Sequence, residues 1–179
     1  MCIIIAKPQG AEMPPIETLR YCAQRNPDGF GFAVPGKVFK SMNFDTFYKE
    51  LKKAATPDTA AIIHFRYATH GRPCRANCHP FRDNEIGVSF AHNGVLPIIP
   101  FTGKTDSETA FRGLIAPKMK LYGIDSKEAR TEILSVIGGS RFAIMSDDGE
   151  IRLFGRFIND GGCWYSNENY RPYHFMYNF

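Results

Sequence analysis

Apolar positions come in short, differently spaced runs, and each spacing predicts an element. Residues 2–6 form an Ile-rich run of the kind that suits a buried strand. Pro14-Pro15 opens a helical stretch in which Ile16, Leu19, Tyr21, Cys22 and Ala23 cover one broad face. Asn26-Pro27-Asp28-Gly29 is a turn signal. Residues 29–34 alternate Gly with larger side chains as a strand, which Pro35-Gly36 reverses into Val38-Phe39-Lys40. Asn43 is placed to cap a helix over 44–55 that buries Phe44, Phe47, Tyr48 and Leu51. A strand over 59–67 then leads into a Gly- and Pro-containing loop over 69–84. Residues 86–92 alternate again, and Asn93-Gly94 predicts a tight turn into Val95-Leu96. Thr105 or Asp106 is expected to cap a helix through Ile115, and Asp125 or Ser126 another through Ile137, stopped by Gly138-Gly139. Asp147-Asp148-Gly149 joins two apolar runs as a hairpin, and Trp164-Tyr165-Ser166 is a candidate last strand. Hairpins interspersed with helices imply an antiparallel sheet with helices packed on it, an α+β arrangement.

The length, 179 residues, supports one domain spanning 1–179 with its own core and leaves little room for a second. The net charge of +4 is spread over scattered Lys and Arg, apart from Lys52-Lys53 and the group Arg72, Arg75 and Arg82. A nucleic-acid footprint needs a denser stripe, so no nucleic-acid partner is expected. No apolar run is long enough to span a membrane, and the first residues lack a signal peptide's basic and apolar regions. Five cysteines, an odd number, then argue for reduced thiols and a cytoplasmic protein.

The second-position cysteine changes the picture most. If Met1 is trimmed, Cys2 carries both a thiol and a free amine whose unperturbed pKa is about 7.7–8.0. One residue then supplies nucleophile and base. Arg66 leaves a strand for a loop, and a planar guanidinium suits bidentate grip on a carboxylate. Asn93 and Gly94 could converge on one oxygen as an oxyanion hole, although Asn-Gly is also the commonest two-residue hairpin. Asp106 is either a helix cap or a receptor for an ammonium group. Each of these residues taken alone has an ordinary structural explanation.

Together they do not stand alone. Met1-Cys2, Asn26-Pro27-Asp28-Gly29-Phe30-Gly31, His64-Phe65-Arg66-Tyr67-Ala68-Thr69-His70-Gly71, Asn77-Cys78-His79-Pro80-Phe81, His92-Asn93-Gly94 and Thr105-Asp106-Ser107-Glu108 occur in an order that resembles class II glutamine amidotransferase domains. The resemblance spans roughly residues 2–115, with weaker similarity through the 147–149 hairpin and Trp164-Tyr165-Ser166-Asn167. It implies the four-layer αββα sandwich of N-terminal-nucleophile hydrolases. It also implies glutaminase chemistry with Cys2 as nucleophile and Asn93 and Gly94 as the oxyanion pair. Arg66 would hold the glutamine α-carboxylate with Thr69 and His70 lining the same end, Asp106 the α-ammonium, and His79 would border the site as a supporting residue. No cofactor and no metal are called for.

The chain is shorter than most such domains and holds no segment for the synthase or isomerase usually fused behind. The expected partners are therefore L-glutamine and a separate ammonia-accepting synthase subunit. The aromatic tail (Tyr170, Tyr173, Phe175, Tyr177, Phe179) either docks that partner or finishes the core, the second being expected. Three rivals remain: another N-terminal-nucleophile amidase, for which an Arg66/Asp106 pair would be wasted; a zinc-containing nucleic-acid-binding module using His70, Cys74, Cys78 and His79, whose spacing is poor; and a non-catalytic regulatory descendant.

Overall fold

The computed structural model of the chain describes residues 1–69 and 71–172. Among these, strands and helices follow in the order β1 (Ile3–Lys7), α1 (Ile16–Arg25), β2 (Phe30–Val34), β3 (Lys37–Ser41), α2 (Phe44–Ala54), β4 (Ala61–Phe65), β5 (Phe81–Asp83), β6 (Val88–Asn93), α3 (Asp106–Ala110), α4 (Ala116–Tyr122), α5 (Lys127–Ile137), β7 (Arg141–Ser146), β8 (Ile151–Phe154), β9 (Ile158–Asp160) and β10 (Cys163–Tyr165). Two antiparallel sheets result, one ordered β3-β2-β4-β1-β10-β9 and the other β5-β6-β7-β8.

Three apolar layers separate four structural ones. Leu19 and Cys22 of α1 and Phe47 and Leu51 of α2 pack on Ile3, Ile5, Phe32, Ile63 and Phe65, the outer face of the larger sheet. Phe111, Ile115, Met119, Ala129 and Ile133 cover Phe90, Phe142 and Ile144 on the outer face of the smaller sheet. Between the sheets lie Ile4, Ala33, Ala60, Ile62, Ala91, Ala143 and Met145. Alanine dominates this middle layer, so the two sheets approach closely. The order helix, sheet, sheet, helix is the αββα sandwich expected.

Strand alternation explains which residue enters which layer. On β1, odd residues face the helices and even residues face the other sheet, so every residue of the strand is buried. That is why the run is Ile-rich without alternating polarity. The strand ends on Lys7, fully buried, whose Nζ donates to the Pro57 and Thr59 carbonyls at 2.9 Å each. The cap at Asn43 forms as expected; of the alternatives left open, Ser126 rather than Asp125 caps α5, and Thr105 rather than Asp106 caps α3, accepting from Glu108 N–H at 3.1 Å.

Three expectations need correction. The predicted loop over 69–84 contains the short strand β5, and β9 precedes the last strand; both are three residues long, too short to show a period. The third helix does not end at Ile115 but passes through a π-helical turn, Phe111–Ile115, into α4. Asn93-Gly94 is not a hairpin turn: Asn93 is the last residue of β6 and pairs with Arg141, while β6 is joined to β7 only through the helices. Of the tail, Tyr170 is buried and stacks on Tyr165 with ring centroids 3.7 Å apart, while Tyr173, Phe175, Tyr177 and Phe179 lie outside the described residues.

Candidate active site

The alternation that builds the middle layer also delivers reactive groups to its end. Continuing the inward face of β1 (Ile4) reaches Cys2, and continuing that of β4 (Ile62, His64) reaches Arg66. On β6 the inward face carries Ala91 and then Asn93. Cys2, Arg66, Tyr67, Ala68, Thr69, Asn77, His79, His92, Gly94, Thr105, Asp106 and Ser107 line one open pocket. Of the sequence-derived candidates, Cys2, Arg66, Thr69, His79, Gly94 and Asp106 are thus brought together. Asn93 sits behind the lining, 1% exposed, and His70 lies outside the described residues.

The Cys2 sulfur lies against Tyr67. It accepts from Tyr67 N–H at 3.3 Å and its S–H faces the Tyr67 carbonyl at 3.4 Å. The Cys2 carbonyl accepts from Asn167 Nδ2 at 2.8 Å. Burial pushes the Cys2 thiol above its usual pKa, against the lowering effects of the Tyr67 N–H, the terminal amino group and Arg66. The thiol is therefore protonated at rest near neutral pH and needs a base to become a nucleophile.

Arg66 is buried, and its Nη1 and Nη2 donate to the carbonyls of Arg72 and Gly71 at 3.3 and 3.2 Å. Those bonds hold the loop after β4 folded over the guanidinium. Asp28 fixes the same loop from below. Its carboxylate accepts from Ala68 N–H at 2.7 Å, and its own N–H donates to the Arg66 carbonyl at 3.0 Å. Asp28 was visible only as part of a turn motif; its role as a loop clamp was not legible.

Asp106 begins α3. Its Oδ2 accepts from Leu96 N–H at 3.0 Å, and Ser107 Oγ donates to its Oδ1 at 3.3 Å. His92 Nδ1 is 2.7 Å from Ser107 Oγ. Which of the two donates across this contact depends on the His92 tautomer. His64 Nε2 is 3.2 Å from the His92 carbonyl, an atom that can only accept, so His64 carries its proton on Nε2. This bond crosses from one sheet to the other, immediately before Asn93-Gly94. His79 lies between them, its ring centroid 4.3 Å from His64. Burial first, then neighbouring positive groups, pushes His64 down to about 3 and His79 well below its ordinary range. Burial likewise lowers His92 to about 4, opposed by Asp106. All three rings are neutral near pH 7.

Gly94 lies at φ 143°, and a Cβ there would meet Ser140 Oγ at 2.3 Å. The motif suggests a turn glycine; its requirement is instead the close approach between the ends of β6 and β7. Gly31 has the same kind of reason, since a Cβ would fall 2.0 Å from the His79 carbonyl oxygen. Asn93 Nδ2 is 2.9 Å from Ser166 Oγ, which also accepts from Ile4 N–H at 2.9 Å. His64, Ser107 and Ser166 were not candidates: each is a common residue type with no motif at that position beyond the family resemblance.

The zinc constellation does not assemble among the described residues. Cys78 Sγ contacts Met42 Sδ at 3.8 Å and the Cys74 carbonyl at 3.4 Å, whereas His79 packs between His64 and Phe81. No three His, Cys, Asp or Glu side chains there come together as a metal site. Nor is the basic group a patch, since Arg82 is bound by Asp147 through two bonds of 2.7 and 2.6 Å. No helix among the described residues is long and apolar enough to cross a membrane.

Comparison with known proteins agrees with this geometry. The family model for class-II glutamine amidotransferases matches residues 22–164. The isomerizing glutamine–fructose-6-phosphate aminotransferase of Lactococcus lactis is 33% identical over 157 residues, covering 78% of this chain and 25% of that protein. Its counterpart in Bacillus licheniformis is 30% identical over 148 residues, covering 75% and 24%. The chain thus spans about a quarter of the length of these relatives. Among solved structures, glutamine phosphoribosylpyrophosphate amidotransferase from B. subtilis, complexed with ADP and GMP, shares the fold: it superposes with a TM-score of 0.59 at 21% identity, covering 92% of this chain and 41% of that one.

Proposed function

Because this chain belongs to the class-II glutamine amidotransferases, we propose that it hydrolyses L-glutamine to glutamate and ammonia through a γ-glutamyl thioester on Cys2, and that residues 1–179 act as one glutaminase domain. The observation that carries the reading is a single pocket lined by a thiol, a buried guanidinium, a glycine just past a strand end and a carboxylate. A free amino acid offers a group for each.

Glutamine binds with its α-carboxylate on Arg66, beside Thr69 and His70, and its α-ammonium on Asp106. The two charged ends fix the head of the substrate and bring the side-chain amide over the Cys2 sulfur. Removal of Met1, which is 62% exposed, frees the Cys2 amine. That amine, directly or through a water, takes the thiol proton, and sulfur attacks the amide carbon. The electron pair moves to the former carbonyl oxygen, which Gly94 N–H and the Asn93 amide stabilise. The ammonium formed on Cys2 returns its proton to the departing nitrogen, so ammonia leaves and the thioester remains. Water then adds to the thioester through the same oxyanion, releasing glutamate and restoring the thiol. The raised pKa of the buried thiol fits this scheme, since a base within the same residue removes the need for a resting thiolate.

The ammonia acceptor is a separate synthase-like subunit in this reading, in the cytoplasm. The test is a glutaminase assay of the wild type beside Cys2→Ala, each with its N-terminus defined by intact mass. Glutamate release is expected from protein that has lost Met1 and only background from the alanine variant. Full activity in Cys2→Ala, or in protein that retains Met1, overturns the mechanism.

A further inference from the structure

Three buried polar groups meet where β1, β6 and the end of β10 come together. Ser166 N–H donates to the Ile4 carbonyl at 3.0 Å, Ile4 N–H donates to Ser166 Oγ at 2.9 Å, and Asn93 Nδ2 lies 2.9 Å from the same hydroxyl. Ser166 and Asn93 are each 1% exposed. Ile4 is two residues from Cys2, and Asn167, next to Ser166, donates to the Cys2 carbonyl.

The hydrogens at this junction do not balance with the Asn93 nitrogen facing Ser166. Ser166 Oγ accepts two N–H bonds, its own proton is left without an acceptor, and Asn93 Oδ1 is buried with no partner. The oxygen and nitrogen of an asparagine amide occupy nearly equivalent positions and are assigned by their bonding. Turning the Asn93 amide by half a turn pairs the Ser166 proton and shifts the unpartnered buried position from the amide oxygen to the NH₂ end. Ser166 then still accepts from Ile4 N–H and donates its own proton to Asn93 Oδ1. The NH₂ end takes the place of the unpartnered oxygen and becomes the free end.

We propose that Ser166 is a positioning residue for glutamine hydrolysis, its hydroxyl holding the Asn93 amide with the oxygen fixed and the N–H end free for the developing oxyanion. What selects this orientation is the serine proton: with Ile4 N–H on the serine oxygen and no other acceptor for that proton among the described residues, it pairs with Asn93 only when the amide oxygen faces it. The hydroxyl that sets the polarity of the oxyanion group is itself held by the strand that carries the nucleophile. Ser166 touches no substrate atom in this scheme. The inference rests on the glutaminase reading above.

The experiment is a double-mutant cycle on purified protein lacking Met1, with glutamine as substrate. Asn93→Ala should lower turnover on the order of 10²-fold, as loss of one oxyanion donor does. Ser166→Ala should lower turnover about tenfold, the effect of one neutral hydrogen bond, with KM changed less than about twofold. In the Asn93→Ala background, Ser166→Ala should add less than about twofold, because its effect passes through Asn93. Ser166→Cys, nearly isosteric and a weak donor, should fall between alanine and wild type, and carries the test if the alanine variant does not fold. Unchanged turnover in Ser166→Ala, full turnover in Ser166→Cys, a full tenfold loss on top of Asn93→Ala, or a loss confined to KM overturns the proposal. A wild type that releases no glutamate overturns the glutaminase reading first, and this one with it.

Discussion

Gly94→Ala tests whether the end of β6 is as constrained as the structure requires. The added methyl group would lie 2.3 Å from Ser140 Oγ, 2.8 Å from Ser140 Cβ and 2.9 Å from Ser140 Cα. The first two clashes are with a side chain, and rotation of Ser140 could move the hydroxyl. The third is with backbone, so the start of β7 and the loop after β6 must separate by several tenths of an ångström. Alanine at φ 143° adds a conformational penalty of roughly 1–2 kcal/mol, and overpacking at a fixed position about 1–3 kcal/mol. A combined loss of about 3 kcal/mol corresponds to roughly 6–12 °C in Tm for a chain this size. The displacement also moves the Gly94 N–H, and a shift approaching about 1 Å costs on the order of 10²-fold in turnover. Thermal denaturation and steady-state glutaminase kinetics read the two effects separately. Adding Ser140→Gly relieves the clashes with Oγ and Cβ but leaves the residue 140 backbone and the strained angle at 94, so about half the stability should return. A Gly94→Ala variant with Tm within about 2 °C (roughly 0.5–1 kcal/mol) and turnover unchanged would refute both the packing argument and the assignment of Gly94 to the oxyanion.

Asp106→Asn keeps an oxygen for the Leu96 N–H but removes the charge, so it should raise KM for glutamine about 10- to 100-fold, the worth of a hydrogen bond to a charged group, with a smaller change in turnover. A fall in turnover at constant KM would mean that Asp106 does not receive the substrate ammonium. The histidines predict an acid window. His64 and His92 are pushed down to about 3 and about 4 from an ordinary 6.5, so between those values the unfolded chain binds protons that the folded chain refuses. Their stabilising contribution is complete above about pH 6.5 and is lost as pH falls toward 4 and then 3, which urea midpoints measured across that range should follow. His64→Gln, whose amide can still donate to the His92 carbonyl, should remove up to about 1.4 kcal/mol per pH unit from the slope; an unaltered slope would show that His64 is not held neutral.

Where the sequence was legible, one element carried its own signal. Asn43 before Phe44 and Ser126 before Lys127 are caps with periodic helices behind them, and both formed. The Ile-rich start and the 147–149 turn likewise depend on neighbours in the chain. What was missed depends on distant partners. Asn93-Gly94 has the composition of a turn, but Ser140 and Arg141 hold it extended, and nothing nearby in the chain announces that. The π-helical turn after Ala110 and the three-residue strands β5 and β9 are similarly set by packing rather than by local pattern. In the site, Cys2, Arg66, Gly94 and Asp106 could be named because their ordered motifs resemble a family. His64, Ser107 and Ser166 act through hydrogen bonds to residues 28, 15 and 73 positions away or to the neighbouring carboxylate, and a serine or histidine in a strand has no signature for that.

The two-residue period of the strands decides more than the core. On β1 the same alternation that sends Ile3 and Ile5 into the helix layer sends Ile4 and then Cys2 toward the facing sheet, and on β4 it sends Ile63 and Phe65 one way and His64 and Arg66 the other. A register slip of one residue would move Cys2 and Arg66 into the helix layer and expose their apolar neighbours to the pocket. Cys2 and Arg66 therefore cannot be misplaced without losing the hydrophobic layers that stabilise the fold. Asp106 has no such guarantee, because it reaches the pocket from the start of a five-residue helix and is held through Leu96 and Ser107. Substitutions under the 95–105 loop should accordingly change how well glutamine binds before they change how fast the bound amide is attacked.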